Sequence, residues 1–225
     1  MALKLAFVHT SHVLIPLFSQ LAKEKLPGVE VFHMVDESLI RNTIAARRLT
    51  KTTIRRLVSM IGSAHEGGAD AVMVTCSSIG PGVATARSQF DFPVLRVDEA
   101  MAEAAVKLGR RIGVAATLNT TLEPTIALLE ATAAAAGREV ELIPELCDGA
   151  FEAVLAGDTA RHDELLSSAL RKLKDQVEVV VLAQASMARV AGQFQSNGGS
   201  PILSSPELAM VRAQSILSTG FAARV

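Results

Sequence analysis

Cys76 is the residue whose sequence surroundings best suit chemistry. The run Val74–Ser78 places its thiol where a buried strand gives way to a turn and a predicted helix N-terminus. Backbone N–H groups and the helix dipole at such a point lower the pKa of a thiol and bind anions. Ser77 and Ser78 add hydroxyls that can hold a carboxylate. The alternative is that Cys76 fills the core as a small apolar residue, because free cysteines are often buried.

Short polar clusters follow several of the predicted strands. They occupy residues 9–12, 75–78, 117–121 and 184–186, and Thr75 opens the second of them. Because ligands bind at the carboxyl ends of parallel strands, this clustering favours an anion-binding site. The alternative is that these Thr, Asn and Ser side chains are ordinary helix N-caps.

The histidines and the second cysteine offer further candidates. His9 and His12 are candidate acid/base groups near neutral pH, although each can equally be a hydrogen-bonded or solvent-facing histidine. Cys147 also follows a predicted strand, and we expect it to be structural. No Cys/His cluster has metal-ligand spacing, and the phosphate-loop and dinucleotide signatures are absent. The sequence therefore predicts neither a metal nor a cofactor.

Composition excludes several classes of protein. The chain has 225 residues, of which 49% are hydrophobic, and a net charge of -1, whereas a nucleic-acid binder needs a basic face. No apolar run reaches membrane-spanning length. The segment Met1–Val8 lacks the features of a signal peptide and is typical of a first strand, so we expect a cytoplasmic protein whose two cysteines are free thiols.

Apolar, β-branched runs alternate with longer amphipathic segments along the chain. The predicted strands are Lys4–Val8, Val29–Val35, Ala71–Val74, Pro93–Val97, Arg111–Ala115, Val140–Ile143, Val177–Leu182 and Pro201–Leu203. The predicted helical segments are Asn42–Gly67, Ala100–Leu108, Thr121–Ala136, Asp158–Lys174 and Pro206–Phe221. Continuous apolar strands separated by helices predict an α/β fold with mainly parallel sheets flanked by helices.

The order of these elements repeats. Asp70–Ser78 is similar to Glu178–Ser186, and Pro93–Met101 is similar to Pro201–Ala209, both at a separation of 108 residues. The sequence therefore predicts two pseudo-symmetric subdomains, 1–97 with 205–225 and 98–204, enclosing an active-site cleft. By this repeat the Cys147 position matches Asp36 rather than Cys76.

With Cys76 in Val74–Ser78 and its duplicated α/β halves, the chain resembles the aspartate/glutamate racemase superfamily, which includes hydantoin racemases, maleate isomerase and arylmalonate decarboxylase. The resemblance implies a cofactor-independent reaction on a small carboxylate or a related carbonyl compound. Racemases of this group use one cysteine from each half, on opposite faces of the reacting carbon. Cys76 matches the first of them, and the second would fall at Gln184 or within Gln184–Ser186, where it is missing.

The missing cysteine makes a mechanism with one thiol the better expectation. Cys76 would exchange a proton with an enolate-like intermediate, or attack an activated alkene. The resemblance implies that polar strand-end residues bind the substrate oxygens: Ser11, Thr75, Ser77, Ser78, Thr117, Thr120, Gln184 and Ser186. We expect an isomerase, with a lyase or a non-catalytic carboxylate-binding protein as alternatives. A homo-oligomer is also expected.

Overall fold

Eight short parallel strands form two sheets in the computed structural model, which describes residues 2–192, 194 and 199–222. The first sheet has the order β2-β1-β3-β4 and contains β1 (Lys4–His9), β2 (Glu30–Val35), β3 (Ala71–Val74) and β4 (Val94–Arg96). The second has the order β6-β5-β7-β8 and contains β5 (Arg111–Ala116), β6 (Glu141–Leu146), β7 (Val179–Leu182) and β8 (Ile202–Ser204). The eight predicted strands are confirmed, with ends that move by at most three residues.

Helices flank both sheets. They are α1 (Ile15–Lys25), α2 (Glu37–Ala46), α3 (Lys51–Glu66), α4 (Gly82–Arg87), α5 (Glu99–Leu108), α6 (Asn119–Ala135), α7 (Ala150–Leu155), α8 (Thr159–Lys174), α9 (Ala188–Ala191) and α10 (Ser205–Ala222). The predicted α/β class is therefore confirmed. None of the helices in the described part of the chain has the length and apolar character needed to cross a membrane.

The chain divides into two compact units. The first contains residues 1–97 and 206–225, and the second contains residues 98–205. The subdomain ranges predicted from the sequence also include Met1, Gln193, residues 195–198 and residues 223–225, which lie outside the described residues.

Each unit has its own hydrophobic core on one face of its sheet. In the first unit, Leu57 and Ile61 of α3 belong to the same buried cluster as Val72 and Val74 of β3. In the second, Leu166 and Leu170 of α8 cluster with the alternate residues of β7. The inner strands β1, β3, β5 and β7 are almost wholly buried, which explains why they read as continuous apolar runs.

Strand register shows that the two sheets are built alike. Strand β1 pairs with β3 from Leu5↔Ala71 to Val8↔Val74, and β5 pairs with β7 from Ile112↔Val179 to Ala115↔Leu182. The second ladder lies 107 residues after the first on one strand and 108 on the other, so the internal repeat predicted from the sequence is confirmed.

One helix prediction is wrong. The segment Asn42–Gly67 is not continuous, because α2 ends where Arg47 adopts a left-handed conformation with φ 53° and ψ 22°. Helix α3 then begins after Thr50, whose side chain accepts a hydrogen bond from the Thr53 backbone N–H at 3.2 Å. An N-cap of this kind starts a new helix inside an amphipathic pattern that looks unbroken.

Candidate active site

Cys76 lies two residues beyond the end of β3, at the carboxyl edge of the first sheet. Its side chain is half-buried and packs against the first core cluster. Its backbone is extended, and a short 3₁₀ turn (Ser77–Ile79) follows directly. The helix that begins at this thiol is this short 3₁₀ turn, with Cys76 at its N-cap, whereas the α-helix α4 begins only at Gly82. The turn, rather than an α-helix, presents backbone N–H groups to the sulfur.

Four hydrogen-bond donors converge on the Cys76 thiol. They are the side-chain hydroxyls of Thr10 and Ser78 and the backbone N–H groups of Ser78 and Ile79. Burial raises the pKa of Cys76 above its ordinary value, and these four donors oppose that rise without cancelling it. Near neutral pH the resting residue is therefore a protonated thiol whose thiolate form has donors already in place.

The other candidates at this edge differ in exposure. Ser77 and Ser78 are buried, whereas Ser11, two residues beyond β1, is half-buried. Ser11 precedes a 3₁₀ turn (His12–Leu14), and its side chain makes no capping hydrogen bond. A role for these three serines in holding a substrate carboxylate stays a prediction.

His9 is fully buried and heads a chain of hydrogen bonds. Its Nδ1 lies 2.8 Å from Thr75 Oγ1, and its Nε2 lies 2.8 Å from His33 Nδ1. His33 Nε2 lies 2.9 Å from Ser19 Oγ. Burial, and then the neighbouring His33, lower the pKa of His9 to about 4, so its ring is neutral at pH 7. Burial also lowers the pKa of His33.

The direction of this chain follows from its inner end. The Thr75 hydroxyl donates its single hydrogen to the Val8 carbonyl at 3.2 Å, so it accepts from His9 Nδ1–H. His9 Nε2 then accepts from His33 Nδ1–H, and His33 Nε2 accepts from the Ser19 hydroxyl. Thr75 is itself buried, and both of its hydroxyl contacts are to protein groups.

His12 has a different environment. It is exposed, and its Nδ1 lies 2.6 Å from Glu37 Oε1 at the start of α2. The hydrogen bond from His12, and then the charges of His12 and Arg41, lower the pKa of Glu37. His12 is thus hydrogen-bonded to a surface carboxylate, and the structure does not bring it into the donor set around Cys76.

Gly80 makes room for an arginine beside the turn that follows Cys76. A Cβ atom at Gly80 would clash with Nε of Arg96, the last residue of β4. The guanidinium group of Arg96 therefore packs on the backbone at Gly80, where a side chain would displace it. Arg96 is not among the site residues predicted from the sequence, although two glycines in Gly80–Gly82 signal a close approach at this turn.

Thr117 and Gln184 are joined at the corresponding edge of the second sheet. Gln184 Oε1 accepts hydrogen bonds from the Thr117 backbone N–H at 2.7 Å and from the Thr117 hydroxyl at 3.0 Å. Gln184 Nε2 lies 2.7 Å from the same hydroxyl. Because a backbone N–H can only donate, the amide orientation of Gln184 is fixed with its oxygen toward Thr117.

The remaining second-half candidates are less well connected. Ser186 is exposed in the 3₁₀ turn Ala185–Met187. The buried Oγ1 of Thr120, in the first turn of α6, has no hydrogen-bond partner among the described residues. Cys147 is buried in the second core, and burial followed by the charges of Glu145 and Asp148 raises its pKa to about 12.

Gln184 occupies the position in the second unit that Cys76 occupies in the first. Each lies two residues beyond its strand, in extended conformation, directly before a three-residue 3₁₀ turn. Thr10 and Thr117 are equivalent in the same way, one residue after β1 and β5. The repeat in the sequence predicts the Gln184 equivalence. It also aligns Thr10 with the candidate Thr117, although Thr10 is not among the predicted site residues.

The described residues contain no set of side chains arranged to bind a metal ion. Within residues 2–192, 194 and 199–222, no group of three or more His, Cys, Asp or Glu side chains is arranged to hold an ion. His9 and His33 lie close together, but they hydrogen-bond to each other and to the hydroxyls of Thr75 and Ser19.

Comparison with known proteins places the chain in a family. The chain is 25% identical over 168 residues to the hydantoin racemase of Rhizobium meliloti, which covers 74% of this chain and 68% of that protein. Its fold is similar to allantoin racemase from Klebsiella pneumoniae, with a TM-score of 0.73, 18% identity, and 97% and 89% of the two chains covered. It is also similar to the aspartate racemase of Picrophilus torridus, with a TM-score of 0.70, 14% identity, and 95% and 94% covered. Residues 9–213 match the family described as Asp/Glu/Hydantoin racemase, and the chain belongs to that family.

Proposed function

We propose that the chain is a cofactor-independent isomerase that acts on a small carboxylate or related carbonyl compound, with Cys76 transferring the proton. The observation that carries this proposal is the convergence of four donors on a half-buried thiol at the carboxyl edge of the first sheet. Such donors stabilise the thiolate that forms when the thiol gives up its proton. The relatives are named for hydantoin, allantoin and aspartate. Aspartate and allantoin have a stereocentre next to a carbonyl group, and a hydantoin has one when carbon 5 of its ring carries a substituent.

Cys76 acts as the acid in the protonation step. The raised pKa keeps its proton in place at neutral pH until an enolate-like carbanion forms beside it. The S–H bond then breaks, the proton joins carbon, and the electron pair stays on sulfur, where the Thr10 and Ser78 groups receive the charge. For an isomerisation, the fraction of Cys76 present as thiolate first removes the proton from carbon, and the electron pair of the C–H bond moves onto the carbonyl oxygen. Water then gives a proton to the opposite face of the enolate.

A second candidate function, a lyase, is favoured by Gln184. An amide neither gives nor takes a proton at neutral pH, so the position equivalent to Cys76 cannot supply a second acid/base group. The buried Cys147, with its pKa near 12, is not a substitute. A decarboxylase or other carbon–carbon lyase needs one proton donor only, because breaking the carbon–carbon bond itself generates the carbanion.

The two functions are separated by following a panel of substrates in deuterium oxide. Aspartate, glutamate, 5-substituted hydantoins, allantoin and substituted malonates are incubated with the protein and analysed by NMR and chiral chromatography. Deuterium entering the recovered substrate at the carbon next to the carbonyl supports the isomerase. Release of carbon dioxide or a shorter product supports the lyase, and tight binding without either change supports a binding protein.

The thiol is tested by a matched pair of variants. Cys76→Ala should lower turnover by about 10²–10⁴-fold, the usual contribution of a proton-transfer group. Cys147→Ala removes the other cysteine, buried in the second core, and should leave turnover close to that of the parent. Full turnover in Cys76→Ala would overturn both catalytic proposals.

A further inference from the structure

The strand ends that carry Cys76 are joined by two successive side-chain contacts. The β1–β3 register ends at Val8↔Val74, so the next positions opposite each other are His9 with Thr75 and then Thr10 with Cys76. His9 Nδ1 lies 2.8 Å from Thr75 Oγ1, and the Thr10 hydroxyl is directed at the Cys76 thiol. Since successive strand residues point to opposite faces, these two contacts brace both sides of the same strand pair.

The second unit has one of these contacts and lacks the other. Continuing the β5–β7 register beyond Ala115↔Leu182 places Ala116 opposite Ala183, and then Thr117 opposite Gln184. The Thr117–Gln184 contact is made by strong N–H and O–H donors to an amide oxygen. The alanine pair before it makes no side-chain hydrogen bond. The polar contact one position back thus occurs only in the half whose strand end carries a thiol, a weak hydrogen-bonding group.

Packing and hydrogen bonding on the other side of the His9 ring also hold the His9–Thr75 contact in place. His9 packs within a cluster of aromatic rings, with Phe18 at 5.6 Å and His33 at 5.1 Å between ring centroids. His33 Nε2 reaches Ser19 on α1. The hydrogen-bond chain therefore runs from α1 across β2 and β1 to the residue that precedes Cys76.

We propose that His9 is a positioning residue, which through its hydrogen bond to Thr75 holds the end of β3 so that Cys76 stays half-buried among its donors. This inference rests on the proposed function only in taking Cys76 as the working thiol. It gives the Thr75 hydroxyl an orienting role rather than a substrate contact. Loss of the His9–Thr75 bond releases the strand end, exposes the sulfur and makes it more reactive, because burial is the largest influence on its ionisation.

The test measures alkylation of Cys76 by iodoacetamide as a function of pH, read by mass spectrometry of the peptide that contains Cys76. No substrate is needed, so the result is independent of whether the proposed reaction is correct. His9→Phe keeps a ring in the cluster and removes the donor. Thr75→Val removes the acceptor with little change in shape. Each should increase the alkylation rate near neutral pH by roughly threefold or more, a change of the size that one hydrogen bond supports.

Two further variants separate positioning from packing. His9→Asn places an amide N–H near the former Nδ1 but leaves space among the rings. Its rate of Cys76 alkylation should therefore stay closer to that of the parent than the rate of His9→Phe. A packing role alone predicts the opposite order. His33→Phe removes the support behind the His9 ring while leaving the His9–Thr75 contact possible, so it should change Cys76 alkylation less than His9→Phe does.

The double variant His9→Phe with Thr75→Val should show no more than the larger single effect, because both changes break one contact. Unchanged alkylation in Thr75→Val overturns the proposal, even if His9→Phe fails to fold. An effect of His33→Phe equal to that of His9→Phe also overturns it.

Discussion

Thr117 holds the side chain of Gln184 through two hydrogen bonds to one oxygen atom, from its backbone N–H at 2.7 Å and its hydroxyl at 3.0 Å. In the first unit the equivalent threonine, Thr10, directs its hydroxyl at the thiol of Cys76. The two halves thus keep the same threonine and differ in what it holds. The first unit has a thiol at this position, whereas the second has an amide held by fixed hydrogen bonds.

Gln184→Leu should destabilise the second unit by about 1–3 kcal/mol, because the Thr117 backbone N–H loses its partner in a half-buried position. Gln184→Glu should cost less, since a carboxylate oxygen accepts the same two hydrogen bonds. Urea unfolding followed by circular dichroism gives the free energy of unfolding for both variants.

Thr117→Val is the control for this comparison. It removes only the hydroxyl and keeps the backbone N–H. It should therefore lower the free energy of unfolding by less than Gln184→Leu does. If Gln184→Leu were as stable as the parent, the observed contacts would not be what fixes this side chain.

Ser78→Ala should make Cys76 less reactive near neutral pH. The hydroxyl of Ser78 lowers the pKa of the thiol, so its removal moves that already raised pKa further up and leaves less thiolate. Loss of one such hydrogen bond corresponds to roughly 2–10-fold slower alkylation. The direction is opposite to that expected for Thr75→Val, which exposes the thiol.

Ser77→Ala is the matched control for the Ser78 substitution. Ser77 is also buried in the same turn but does not contribute to the ionisation of Cys76. Its alkylation profile should match that of the parent. Equal slowing in both serine variants would mean that the turn, and not the Ser78 hydroxyl, controls the thiol.

Much of the fold could be predicted from the sequence because inner parallel strands are buried on both faces. Strands such as Ala71–Val74 and Val179–Leu182 are runs of buried apolar residues, so their position needs no periodicity argument. The 108-residue repeat then aligns Gln184 with Cys76 from the sequence alone. Composition and order carried this information.

Local backbone choices could not be predicted in the same way. The amphipathic pattern of Asn42–Gly67 continues across Arg47, since an exposed residue can turn left-handed without interrupting the apolar stripe. The spacing after Cys76 likewise fits a helix or a 3₁₀ turn. The start of the α-helix after Cys76 depends on whether one turn, Ser77–Ile79, is α-helical or 3₁₀. The residue types in that turn do not decide between the two.

Side-chain contacts between strands could not be predicted from the sequence, for a different reason. His9 and Thr75 are 66 residues apart and meet only because β1 and β3 are neighbours in a particular register. A shift of one residue would place His9 opposite a different side chain and face. His33 joins them from a third strand. The residue pattern within a single segment therefore cannot predict this hydrogen-bond chain.

Arg47→Gly should stabilise the protein by about 0.5–1 kcal/mol. Arg47 is exposed and left-handed at the end of α2, a conformation that costs a residue with a Cβ roughly 1–2 kcal/mol and that glycine adopts freely. The greater freedom of glycine in the unfolded chain offsets part of this gain. Ala46→Gly, one residue earlier and helical, should instead destabilise by about 0.5–1 kcal/mol. Thermal unfolding of the two variants should therefore shift in opposite directions, and a shared direction would contradict this account of the break.

Acid should weaken the first unit through His9. The pKa of His9 is about 4 in the folded protein and 6.5 in an ordinary setting, because the buried ring is held neutral beside His33. Between these values the unfolded chain binds a proton that the folded chain does not. Stability is therefore greatest above pH 6.5 and falls as the pH decreases toward 4, by about 3 kcal/mol for this group. Urea unfolding at pH 7 and pH 4.5 measures the loss, and His9→Phe should reduce it. An equal acid sensitivity in parent and variant would assign the effect to other groups.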